Sequence, residues 1–172
     1  MTDVLVVVDM QRDFVDGALG TPEAVAIVPA VTAKVKSFPG KVIFTRDTHT
    51  ADYLQSREGK LLPVEHCVKG TPGWELIDEL RPFAEEIIDK PTFGSVTLGE
   101  RMRELDAEEG IGTVTLVGVC TDICVISNAM LLRAFLPEIP IAIDAPCCAG
   151  VTPEAHTNAL KAMAACQFQI IE

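Results

Sequence analysis

Apolar residues along the chain follow two alternating rhythms. Short runs rich in β-branched and aliphatic residues occupy 4–8 (VLVVV), 41–45 (KVIFT), 85–89 (EEIID), 113–119 (TVTLVGV), 139–144 (IPIAID) and 167–172 (QFQIIE). Their length and content are those of β-strands. Between them, apolar positions recur every three or four residues, which predicts helices over about 22–37, 73–84, 97–109, 122–135 and 153–165. Each is opened or closed by Pro, Thr, Gly or Asp of the kind that caps helix ends. Strands apolar on both faces and joined by amphipathic helices are stable only when helices cover both sides of the sheet. The pattern therefore predicts an α/β fold in three layers, with an open, mostly parallel six-stranded sheet between helices, as one domain over 1–172. One stretch, about 46–71, shows no convincing period. It is long for an idle connection, which marks it as a functional loop.

Composition narrows the function classes. With 48% hydrophobic and 23% charged residues, the chain has the make-up of a globular domain and not of a disordered one. Fourteen Lys and Arg against 25 Asp and Glu leave a net charge of −11, with no basic cluster, so no nucleic-acid partner is expected. No apolar run approaches the roughly 18 residues of a membrane span, and no secretory signal pattern opens the chain. The expectation is a cytoplasmic protein without a membrane partner, its six cysteines reduced. Cys120 and Cys124 have no second matching pair, which argues against a structural zinc site on that spacing.

The polar residues that close the strand runs carry the candidate chemistry. Asp9 follows the first, Asp47 the second, Lys90 the third, and the segment CTDIC (120–124) the fourth. In open α/β sheets, ligands bind at the carboxyl ends of the strands, where these residues would share a rim. Each alone has a plain alternative: a capping aspartate, a solvated lysine, a small core cysteine. Together they are the set that makes and stabilises a proton-linked nucleophile. A helix starting near Asp122 would put Cys124 in its first turn, where free N–H groups and the dipole favour thiolate. Cys120, closing the strand, would turn its side chain into the sheet and leave its N–H facing the reaction.

The segments VLVVVDMQRDFV, RDTHTADYLQSREGKLLPVEHCVKGTPGWEL, IIDKPTFGSV and LVGVCTDICV resemble, in order and spacing over nearly the whole chain, the isochorismatase-like cysteine hydrolases, and among them the nicotinamidase/pyrazinamidase branch. The resemblance implies a Rossmann-like isochorismatase hydrolase fold. It also implies hydrolysis of a small carboxamide to acid and ammonia through a cysteine thioester, nicotinamide to nicotinate in pyridine nucleotide salvage being the leading case. It assigns Asp9 as general acid and base, Lys90 as its charged partner and Cys124 as nucleophile. The Val119–Cys120 peptide would be cis, and the amides of Cys120 and Cys124 would form the oxyanion hole.

The resemblance further implies one divalent ion, zinc with iron or manganese as alternatives, on Asp47, His49, Glu58 and His66, donors that suit these metals. The plain alternative is a set of hydrogen-bonding residues in a wet loop. Where some members carry an aromatic residue before the second metal histidine, this chain has Leu61, Leu62 and Pro63. Substrate contacts then fall to Phe14 and Phe93, and the pocket could suit another amide. His156 reads as structural, and Lys69 as a solvated turn residue. The rival readings are a metal-free family hydrolase of another amide or carbamoyl compound, a vinyl-ether hydrolase, and an inactive binding module. The apolar stretch 125–136 suggests a homo-oligomer.

Overall fold

Five parallel ladders join the strands in the computed structural model, which describes residues 1–172. The strands are β1 (Thr2–Val8), β2 (Lys41–Asp47), β3 (Glu86–Lys90), β4 (Ile111–Val119), β5 (Ile141–Ala149) and β6 (Gln169–Ile171), in the order β3-β2-β1-β4-β5-β6. All pairs are parallel. The strand order reverses between β1 and β4, which places the crevice for a ligand at their carboxyl ends.

Alternation along β1 divides the core in two. Val4, Val6 and Val8 point to one face, with Leu98, Met102, Leu132 and Met163 above them. These belong to α4 (Val96–Glu109), α5 (Ile126–Phe135) and α6 (Pro153–Ala165). Leu5 and Val7 point to the other face, against Ala24, Ile27, Val31 and Val35 of α2 (Pro22–Ser37) and Val15 of the short α1 (Arg12–Val15). The predicted helices 22–37 and 153–165 match α2 and α6 because their start signals are strong. Thr21 and Thr152 accept hydrogen bonds from Ala24 N and Ala155 N at 3.0 and 3.1 Å, and a proline follows each. Ser95 caps α4 in the same way through Leu98 N. Each such cap contributes about 1 kcal/mol.

Three expectations are corrected. The helix predicted over 73–84 is absent; two 3-10 turns, Pro72–Trp74 and Arg81–Phe83, flank an extended stretch. There Ile77 N donates to Met10 O and Leu76 bridges Gln11, so its amides are engaged by another segment, and Pro82 could not donate to a helix. Leu76, Ile77 and Leu80 are buried, and that spacing imitated a helical stripe. The helix expected from 122 begins as a π-turn, Thr121–Val125, and becomes α-helical only at Ile126. The loop 46–71 contains a 3-10 turn, Tyr53–Gln55, and α3 (Arg57–Leu61).

The apolar flank of α5 that suggested an oligomer is half-buried within the chain. Ile126, Met130 and Phe135 lie against the core on the α4 and α6 side. All six cysteines are free, and no helix is long and apolar enough to cross a membrane.

Gly118 sits at the reversal of strand order with φ of +114°, and a Cβ there would collide with Val8 O of the neighbouring strand. Gly118→Ala is expected to cost about 2 kcal/mol or more, from the left-handed backbone and the clash together. Denaturant unfolding checks this; a loss under about 0.5 kcal/mol would contradict the close approach of β1 and β4.

Candidate active site

The four strand ends converge on one ammonium group. Lys90 closes β3, where it is the ladder partner of Asp47 on β2. Its Nζ lies 2.7 Å from Asp9 Oδ2, 3.5 Å from Asp47 Oδ1 and 3.5 Å from Cys124 Sγ, and donates to Thr92 O at 3.1 Å. Lys90 and Asp9 are both fully buried. Asp9 sits at φ +50°, a conformation Asp tolerates better than most residues. Thr45 Oγ1 donates to its Oδ1 at 2.7 Å. Oδ2 has Lys90 in contact but off the ideal hydrogen-bond direction, and no other donor.

Burial decides the resting protonation. It drives the Cys124 thiol well above its usual pKa; Asp9 adds to this and Lys90 offsets it only in part. The expected thiolate at a helix start is thus corrected, because desolvation outweighs the amides of one π-turn. Burial also raises Asp9, more than the adjacent Lys90 lowers it. For Lys90 burial favours the neutral form, but Asp9, Cys124 and Asp47 outweigh it and raise its pKa, so the lysine stays charged. At rest burial favours the thiol at Cys124 and raises the Asp9 carboxyl, and both stand against the one fixed positive charge of Lys90.

Beside it lie the donors of the loop. Asp47, His49, Glu58 and His66 each offer a ligand atom, all within 4.8 Å of one another. His49 Nε2 is 2.9 Å from Asp47 Oδ2 and 3.6 Å from Glu58 Oε1; His66 Nε2 is 3.6 and 3.8 Å from the same oxygens. Ligands at about 2.1 Å from a tetrahedral ion stand about 3.4 Å apart, so these spacings frame one cation. Two details test the fit. His66 Nδ1 bonds Val64 O at 2.8 Å, which fixes the tautomer that leaves Nε2 free as a ligand. His49 Nε2, though buried and close to Asp47, makes no aligned hydrogen bond, as expected of two atoms that share a third partner. Two histidines and two carboxylates suit a zinc-type ion.

Both groups open into one cavity of about 220 Å³, lined by Asp47, Glu58, His66 and Cys124 and walled by Phe14, Leu19, Leu62, Phe93, Ile123 and Val151. Phe14 and Phe93, the expected substrate contacts, line this cavity; Leu19, Leu62, Ile123 and Val151 were not foreseen there. Cys120 does not turn into the sheet: its side chain also lines the cavity. Burial and nearby carboxylates push its thiol up to about 12. The Val119–Cys120 peptide is cis, and Cys120 N makes no backbone hydrogen bond. His156 stays outside the cavity and bonds Thr121 Oγ1 at 2.7 Å through Nδ1, while Lys69 is exposed.

Three supporting residues escaped the sequence reading. Gln11, fully buried, donates to Asp47 O and Trp74 O at 2.8 and 2.9 Å and accepts from Asp47 N at 2.7 Å, holding a donor strand in place. Asp13 accepts from Cys67 N at 2.8 Å, pinning the loop next to His66. Asn128 donates to Cys124 O and Phe93 O at 2.8 and 3.1 Å and accepts from Ser95 N at 2.9 Å, clamping the nucleophile turn to the segment after Lys90. Gln11 and Asp13 stand inside the quoted motif VLVVVDMQRDFV, but nothing local shows that their partners lie more than 30 residues away.

Comparison with known proteins identifies the family and the fold. Residues 3–172 match the isochorismatase domain family. The crystal structure of nicotinamidase/pyrazinamidase PncA from Bacillus subtilis superposes with a TM-score of 0.85 at 29% identity, covering 100% of both chains. The pyrazinamidase of Pyrococcus horikoshii in complex with zinc gives 0.85 at 29% identity, covering 100% of this chain and 99% of the other. A nicotinamidase of Acinetobacter baylyi is 29% identical over 155 residues, 73% of this chain and 72% of the relative.

Removing the ammonium strands a buried carboxylate. Lys90→Met is expected to destabilise the protein by about 3–5 kcal/mol, and Asp9→Asn on top of it to recover much of the loss. Lys69→Ala should stay within about 0.5 kcal/mol. Urea unfolding of the wild type, these three variants and Asp9→Asn alone checks this; additive losses in the double variant would show that Lys90 and Asp9 are not one unit.

Proposed function

The chain belongs to the isochorismatase family, and from that premise we propose that it hydrolyses a small neutral carboxamide, nicotinamide to nicotinate and ammonia, through a thioester on Cys124. One observation carries the reading: Lys90 Nζ touches Asp9 and Cys124, and the same cavity that holds Cys124 is bordered by three of the four grouped metal donors, Asp47, Glu58 and His66. The names of the B. subtilis, P. horikoshii and A. baylyi relatives support the same class of reaction.

The mechanism follows from the resting charges. Asp9, in the carboxylate form that the adjacent Lys90 favours, takes the proton of Cys124 as Sγ attacks the amide carbon. The developing oxyanion is received by the N–H groups of Cys120 and Cys124, amides fixed in place before the reaction begins. As the C–N bond breaks, Asp9 returns the proton to nitrogen and ammonia leaves, with the acyl group on sulfur. Asp9 next removes a proton from water, whose hydroxide attacks the thioester; the acid departs and the proton returns to sulfur. Lys90 holds its charge throughout, so neither the carboxylate nor the transient thiolate is left buried without a counter-charge. Phe14 and Phe93 would flank the ring. A zinc-type ion on Asp47, His49, Glu58 and His66 supplies, when bound, a Lewis-acid contact for a ring nitrogen of the substrate.

The cavity weighs against the vinyl-ether alternative. Asp47 and Glu58 line it and no Lys or Arg does, so apart from a bound ion a substrate bearing carboxylates would find no partner for its charge. A neutral ring amide meets apolar walls.

Ammonia release from nicotinamide is expected to vanish in Cys124→Ala and to persist largely in Cys120→Ala, whose role is through its backbone. Acid-quenched wild-type enzyme should carry the acyl adduct on the Cys124 peptide by mass spectrometry. Elemental analysis should find one divalent ion per chain, lost in His49→Ala/His66→Ala. Full activity in a verified metal-free preparation would remove the ion from the reading, and equal losses in the two cysteine variants would overturn the nucleophile.

A further inference from the structure

Exposed apolar residues gather at the mouth of the catalytic cavity. The large hydrophobic side chains left in water include Leu61 (77% exposed), Phe93 (46%), Val151 (45%) and Leu62 (39%). All four border this cavity or the pocket next to it. Scattered exposed leucines need no explanation, but a cluster beside a ligand cavity does. The neighbouring pocket, of about 490 Å³, shares Glu58, Leu62 and Phe93 with the inner cavity and adds Leu61 and Pro91, with Ser56, Arg57 and Thr92 on its polar edge. Leu62, Phe93 and Glu58 thus border both spaces. The inner cavity, about 220 Å³, is smaller than the roughly 300–1,000 Å³ of typical ligand pockets and suits a single ring.

We propose that the outer pocket is a second part of the substrate site, which takes an apolar substituent carried on the ring of the amide, so that the preferred substrate is a ring-alkylated carboxamide and not the bare ring. This rests on the amide-hydrolase reading. The inner cavity seats the carboxamide against Cys124, and a chain of several methylenes leaves the ring between Leu62 and Phe93 and lies on Leu61 and Pro91. Each methylene removed from water on that surface adds to affinity without touching the reacting atoms. A charged substituent gains nothing from Leu61, Leu62, Pro91 and Phe93, and would meet ionisable side chains only at His49, Arg57 and Glu58. The position of Leu61 in the outer pocket alone makes it the residue that separates the two parts of the site.

The test measures binding and turnover on the metal-loaded protein with nicotinamide and a series carrying methyl, butyl or hexyl groups on one ring carbon at a time. In Cys124→Ala, which cannot turn over, at least one butyl isomer should bind about tenfold tighter than nicotinamide by calorimetry, the order expected of one or two buried methylenes. Adding Leu61→Ser should cut that gain to about threefold or less. In the otherwise wild-type enzyme, Leu61→Ser should leave kcat/KM for nicotinamide unchanged and lower it for the butyl compound. Hydrolysis of nicotinamide with no isomer gaining affinity overturns the outer pocket while sparing the amidase reading. A gain that survives Leu61→Ser also overturns it. If Leu61→Ser leaves the series untouched and instead shifts the oligomeric state in sedimentation, the patch joins copies of the chain and the proposal falls. Tight binding of the butyl compound without hydrolysis of any amide supports the pocket and overturns the amidase reading.

Discussion

A fully buried ammonium group is the constraint around which this molecule is arranged. Removing a lysine head from water costs several kcal/mol, and the cost is offset only when carboxylates and carbonyls stand at contact distance. Lys90 meets that condition through Asp9, Asp47 and Thr92 O, which come from three different segments. The parallel sheet makes this possible: β1, β2 and β3 end side by side, so their last residues reach one point although they are far apart in sequence. Anything that shifted one strand against the next would strand a charge in the core.

The same burial sets the chemical character of the site. A thiol near a helix start and a lysine would ionise readily in water. Here the dry surroundings keep it protonated and raise the neighbouring carboxylate as well. On the proposed mechanism the thiol is therefore guarded until a substrate arrives, and the fixed charge of Lys90 would receive each transient anion in turn. Asp47 faces both ways, one oxygen toward Lys90 and the other toward the histidines. Burial alone would raise its pKa, but the adjacent His49 and His66 and the charge of Lys90 hold it below the usual carboxylate range. Through this residue the metal donors and the proton-transfer set form one electrostatic unit.

Positioning is left to side chains that do no chemistry. Gln11 holds the backbone of Asp47, Asp13 holds the loop beside His66, and Asn128 ties the turn of Cys124 to the segment that follows Lys90. Each satisfies buried backbone groups that an irregular loop or a π-turn would otherwise leave unpaired. The irregular backbone near the chemistry is thus held by amide and carboxylate side chains supplied from regular or nearby elements.

Much of this was readable from residue order alone, because the signals are local. Two-residue and three-to-four-residue periods, proline and threonine caps, and apolar strands with polar last residues report on neighbours in the chain. They placed six strands, the helices α2, α4 and α6, and the row Asp9, Asp47, Lys90 and Cys124. They misled at 73–84, where apolar spacing imitated a helix while the amides bonded another segment. They misled again at Cys124, where dipole reasoning ignored the depth to which the turn is buried. Hydrogen bonds of Gln11, Asp13 and Asn128 to partners far along the chain, the joining of two pockets at Leu62 and Phe93, and the protonation of the thiol all depend on which atoms the fold brings together and how much water it excludes. A sequence determines which groups a chain carries and what they prefer nearby; only the packed structure decides which distant group each one meets and in what dielectric.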